Sequence, residues 1–96
     1  MPAYVISEVT IINDEAVAQY KPLAKQSAIE HGGEYLARDA VPETLEGNFE
    51  PEERLVILRF PDLTAARTWY GSEAYSKALA AAHGALRRRL FIVEGL

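Results

Sequence analysis

The chain has 96 residues, no cysteine and a formal net charge of −4 at neutral pH, with a pI of about 5.1. Such a length leaves room for one core, so residues 1–96 are expected to form a single domain. The missing cysteines exclude disulfides, thiolate catalysis and cysteine-based metal sites, and the acidic balance argues against nucleic acid and anionic lipid as partners.

The N-terminal MPAYVISEVTIIND has no basic leader and meets acidic residues too early for a signal peptide, and every apolar run is too short to span a membrane. A soluble, cytoplasmic protein is expected. Residues 3–12 are β-branched and alternate, with Val5, Ser7, Val9 and Ile11 on one face and Tyr4, Ile6, Glu8 and Thr10 on the other; they predict a first strand covered on both faces. Asn13 and Asp14 supply an N-cap and Glu15 an acidic first turn. The helix that follows should run to about His31 with Val17, Tyr20, Ala24 and Ala28 inward, broken or kinked near 18–22 by Pro22. Gly32-Gly33 ends it.

EYLAR at 34–38 predicts a second strand, residues 39–53 an irregular extension and loop, and RLVILRF at 54–60 a strand buried on both faces. Asp62 or Thr64 caps the next helix, which turns Leu63, Ala66 and Trp69 or Tyr70 inward until Gly71 stops it. Ser72 then caps a continuation whose stripe is Tyr75, Leu79, Ala82 and Leu86. RRRLFIVEGL at 87–96 is the last strand. The order β-α-β-β-α-β is that of a ferredoxin-like α+β fold, an antiparallel sheet with its helices on one face. The central strands are apolar on both faces, so the uncovered face calls for a second copy, and a homodimer paired through the sheet faces is expected.

GGEYLAR at 32–38, LEG at 45–47, ERLVILRFPDLTAARTWYGSEAY at 53–75 and IVEG at 92–95 resemble, in order and spacing, the domain-of-unknown-function family 1330. The resemblance runs over nearly the whole chain. It implies a ferredoxin-like dimeric α/β-barrel, in which two sheets face each other across the dimer axis, and it supplies no reaction. AAAHG at 80–84 departs from the pattern, since similar sequences often carry an arginine there and this chain has His83.

TWYGSEAY at 68–75 gathers the one tryptophan and two of the five tyrosines around Gly71-Ser72. These rings either fill the core where two helix segments meet at an angle, or line a cleft in which a tyrosine hydroxyl orients a ligand. Trp69, Tyr70 and Tyr75 are therefore candidate ligand-binding residues. Arg38, beside the glycine pair, is the candidate anchor for an anionic group, and Tyr70, Tyr75 and His83 are candidate catalytic acids or orienting groups. Set against this, Arg38, Glu8, Arg59 and Glu94 also read as edge charges and ion pairs, and His83 as a solvated helix position. His31 suits its helix dipole, and the two imidazoles have no metal-ligand spacing.

Arg87-Arg88-Arg89 should close the last helix dipole and pair with acids, since RLVILRF lacks the stacking aromatics of an RNA-binding strand. No motif asks for a cofactor. Two functional classes stay open: a cofactor-free protein that binds or transforms a small, partly apolar organic molecule, and a non-catalytic ligand-binding or protein-interaction module.

Overall fold

In the computed structural model, which describes residues 1–96, the elements are β1 (Ala3–Ile11), α1 (Asp14–Glu30), β2 (Glu34–Ala40), β3 (Arg54–Phe60), α2 (Leu63–Tyr70), α3 (Glu73–Ala82) and β4 (Leu86–Glu94). They form one antiparallel sheet of order β2-β3-β1-β4. This is the ferredoxin-like topology with its second helix divided in two. The sheet of one chain is open, with β2 and β4 at its edges, and does not close into a barrel by itself.

Strand pairing fixes which side chains share a face. Val5 lies between Leu58 and Ile92, Ser7 between Val56 and Leu90, and Val9 between Arg54 and Arg88. Ala3, Val5, Ser7 and Val9 are buried, and Ala3 and Val5 join Leu58 and Phe60 beneath Tyr20, Ala24 and Ala28 of α1, Ala66 and Trp69 of α2, and Tyr75, Ala78 and Ala82 of α3. The opposite face carries Tyr4, Ile6, Ile57, Phe91 and Val93, and no helix covers it. Phe91 and Val93 keep 40% and 41% of their surface exposed.

Asn13 caps α1 by accepting from the Ala16 amide at 3.1 Å, and the helix then runs unbroken through Pro22. Of the kink or break expected at 18–22, a break is absent: proline removes one amide donor, but the helix continues with Tyr20 and Ala24 buried on either side of it. Gly32 ends the helix in the left-handed region with φ +80. Gly33 is required for another reason, because a Cβ there would stand 2.7 Å from the buried Phe60 ring.

Asp62 caps α2 and Ser72 caps α3. The Ser72 hydroxyl accepts from the Tyr75 amide at 3.1 Å and donates to the Trp69 carbonyl at 2.7 Å, so one side chain ends one helix and starts the next. Gly71 has φ −86, which any residue adopts; the joint is made by Ser72 rather than by glycine freedom. Two expectations are corrected beyond the joint. Leu86 is the first residue of β4 and not part of the α3 stripe, whose third buried member is Ala78. The arginines at 87–89 lie on β4 instead of closing α3, because Gly84 at φ +73 and Ala85 have already turned the chain back into the sheet.

Candidate functional site

Between α1, α2, α3 and the covered face of the sheet lies a narrow cleft with a cavity volume of about 40 Å³. Most of its wall is apolar: Val9, Ile11, Val17, Val56, Leu58 and Leu90. Four aromatic rings, Tyr20, Tyr35, Trp69 and Tyr75, complete it together with a small set of polar groups. The four rings come from four different elements, so the tertiary fold alone brings them together.

Trp69 is 2% exposed and packs its ring 4.3 Å from that of Tyr75 and 5.3 Å from that of Phe60. Its indole N–H donates to Ser27 Oγ at 3.0 Å, and Ser27 in turn donates to the Ala24 carbonyl at 2.8 Å. The tryptophan is thereby locked as a wall with no polar atom free for a ligand.

Tyr75 is fully buried, yet its hydroxyl belongs to a polar cluster. The Tyr20 and Tyr75 hydroxyls are 2.9 Å apart. Arg88, reaching in from β4, donates to Tyr20 at 2.8 Å and to Tyr75 at 2.6 Å. Burial, then the neighbouring Tyr20, push the Tyr75 phenol well above its ordinary pKa, and Arg88 only partly opposes them. Burial works against the charge on Arg88, but the two phenols outweigh it and raise its pKa. At neutral pH the cluster holds a cationic Arg88 guanidinium and a protonated Tyr75 phenol.

Arg38 lies over the Tyr35 ring, 4.5 Å from its centroid, and donates to the Lys21 carbonyl at 2.9 Å. Burial raises the Tyr35 pKa, with Arg38 opposing it. Lys21 forms an ion pair with Asp39, which sits in the left-handed region at φ 52 amid the register shifts of β2. The lining therefore has three cations, Lys21, Arg38 and Arg88, against one carboxylate, Asp39. That sign is opposite to the net charge of the chain.

Ser7, 2% exposed on the floor of the cleft, has a buried hydroxyl without any hydrogen-bond partner. Such orphans are rare, because an unpaired buried donor costs about 1–3 kcal/mol.

Of the residues singled out in the sequence, the structure brings Arg38, Trp69 and Tyr75 to the cleft. Tyr70 is 49% exposed and does not line it, because the inward position on α2 belongs to Trp69; it borders a shallow apolar depression with Phe91 and Ile92. His83 is exposed at the C-terminus of α3 and also lies outside the cleft. His31 Nδ1–H donates to the Ser27 carbonyl, 2.8 Å away, at the end of α1. Among the strand charges, Glu8 pairs with Arg89, and Arg59 lies 3.8 Å from Glu34. No three His, Asp or Glu side chains converge, and no helix is long and apolar enough to cross a membrane.

Tyr20, Arg88 and Ser7 were not singled out as site residues from the sequence. Tyr20 reads there as one more apolar contact of α1. Ser7 carried a usable signal, a lone hydroxyl on the Val5–Val9 face. Arg88 required the strand register that sets it opposite Val9.

No curated protein matches the chain. Among solved structures, a protein of unknown function from Rhodopseudomonas palustris superposes with a TM-score of 0.76 at 18% identity, covering 99% of this chain and 82% of that one. A dimeric ferredoxin-like protein of unknown function from Jannaschia sp. CCS1 gives 0.72 at 12% identity, covering 99% and 100%. A protein from Caulobacter crescentus CB15, provisionally named an antibiotic biosynthesis monooxygenase, gives 0.63 at 12%, covering 99% and 90%. At such identities the likeness is one of fold, and function does not travel with fold. The family model for the domain of unknown function DUF1330 matches residues 2–96, and the chain belongs to that family.

Proposed function

We propose that the cleft binds a small, partly apolar organic molecule, and that the protein works as a homodimer of single-domain chains paired through their uncovered sheet faces. The observation that carries the binding proposal is Ser7: a buried hydroxyl without a partner, on the floor of a cleft whose other walls are mainly apolar. A bound molecule with one polar atom at that depth would satisfy it, and the aromatic walls would bury the rest. Arg38 and Arg88 are cationic groups for an anionic end of such a molecule to engage.

The pairing proposal rests on the uncovered face. Tyr4, Ile6, Ile57, Phe91 and Val93 form a contiguous apolar surface of the kind that a soluble protein covers. The Jannaschia protein of the same fold is described as dimeric.

Native mass spectrometry of the protein purified from its own cells tests both parts at once. The expected spectrum is a dimer with a retained small molecule that Ser7→Ala releases. A dimer that stays empty, and whose Ser7→Ala variant is unchanged in stability and in binding to every small organic acid offered, would overturn the binding reading. Conversion of the retained molecule on incubation would make the protein an enzyme; its unchanged release would make it a binding module.

A further inference from the structure

The protons of the Arg88 cluster can be counted. A phenolic hydroxyl has one O–H to donate, and guanidinium has donors but no acceptor. With both phenol oxygens accepting from Arg88 and lying 2.9 Å apart, one phenolic proton serves the bond between them. The other proton finds no acceptor inside the cluster. Whichever of Tyr20 and Tyr75 donates to its neighbour, the remaining one has an O–H left for the cleft that both line.

Charge gives a second, independent count. Lys21 and Asp39 neutralise each other as an ion pair. Arg88 and Arg38 have no carboxylate partner, and their contacts are phenols, an aromatic face and a backbone carbonyl. A partly buried guanidinium without a counter-anion is costly. One spare donor and an uncompensated positive charge meet at the same point, in a cleft lined by rings and aliphatic groups.

We infer that Arg88, Tyr20 and Tyr75 together form an oxyanion site, which holds the carboxylate of a small apolar monocarboxylic acid through the one phenolic proton that the protein leaves unspent. The inference rests on the reading of the cleft as a small-molecule site and names the class of ligand. The phenols are interchangeable donors. Removing either hydroxyl frees the proton of the other, so that a donor survives every single substitution and disappears only from the double one.

The test uses the intact protein and the fluorescence of Trp69, the chain's one tryptophan and a wall of the cleft. Probes are a series from propionate to benzoate and phenylacetate, each beside its neutral amide. Acids should bind at least about tenfold more tightly than their amides, as a hydrogen bond to a charged group implies. Tyr20→Phe and Tyr75→Phe should each keep the acid-to-amide ratio within about threefold of the parent. The double variant should lose about tenfold or more of that ratio.

Because the ratio compares two ligands in one protein, partial loss of folding does not imitate the result, and Arg88→Lys gives a second variant that retains charge without the two-pronged geometry. Losses that add from single to double variants, or a double variant that discriminates as well as the parent, would overturn the inference. Amides that bind as well as acids would also overturn it while leaving the cleft a ligand site. If neither class binds, the inference fails together with the reading on which it rests.

Discussion

Ser7 and Tyr75 show how a single side chain can be placed against its own folding interest. In Ser7→Ala the unpaired hydroxyl disappears with little change of volume, so the ligand-free protein should become more stable by about 1 kcal/mol. The same variant should bind the retained molecule more weakly; a melting temperature that falls would contradict the reading of Ser7 as an orphan. Tyr75 makes a prediction in pH. Its pKa is raised from an ordinary value of 10.0, so folding favours the protonated phenol. The stability this contributes is complete below about pH 10 and is lost as pH rises through that value toward the folded pKa. In an alkaline titration followed by phenolate absorbance, Tyr75 and Tyr35 should ionise late, Tyr75 together with unfolding. Tyr75→Phe should flatten the alkaline loss of stability, and an unchanged profile would exclude Tyr75 as its source. Nothing in the sequence announces these environments, because burial and the approach of Arg88 are properties of the folded chain.

At the level of elements, the joint between α2 and α3 determines where Tyr75 points. Ser72→Ala removes both the acceptor for the Tyr75 amide and the donor to the Trp69 carbonyl. It should cost about 1 kcal/mol in a denaturant titration and weaken binding in the cleft, whereas Gly71→Ala should stay within about 0.5 kcal/mol. Gly33→Ala drives a methyl group into the Phe60 ring and should cost about 1–3 kcal/mol. Equal effects at Gly33 and Gly71 would refute this contrast. Caps, strands and the helix division were legible because each is written in adjacent residues: Asn13, Asp62, Ser72 and the run RLVILRF. The uninterrupted path through Pro22 and the end of α3 before Leu86 were not, since packing of α1 in one case and the turn at Gly84-Ala85 in the other overrode the local pattern. The site lies still further from local reading. Trp69, Tyr75 and Arg38 stand out by composition, but Arg88 enters only through a pairing that joins residues 79 positions apart, Val9 and Arg88.

Over the whole molecule the two faces of one sheet differ. The covered face encloses the cleft. The other presents an apolar end around Tyr4, Ile6, Phe91 and Val93 and a charged end with Glu8, Arg87 and Arg89. If the proposed dimer uses the apolar end, Phe91→Asp should give a monomer in sedimentation with the cleft residues undisturbed, while His83→Ala, at an exposed residue that does not line the cleft, should change neither mass nor binding. A Phe91→Asp variant that remains a dimer would move the interface elsewhere.

The ends of the chain meet at one corner of this sheet, where the Gly95 amide donates to the Pro2 carbonyl at 2.7 Å. A Cβ on Gly95 would lie 2.5 Å from the Tyr4 ring, so the last strand is seated tightly there. The cleft takes its residues from the other half of β1 and β4, at Ser7, Val9, Ile11, Leu86, Arg88 and Leu90. A short linker could therefore join the two ends, and new ends could be opened in the exposed stretch 43–48 between β2 and β3. The resulting circular permutant would keep every strand neighbour and the whole cleft while reversing which half of the chain is synthesised first.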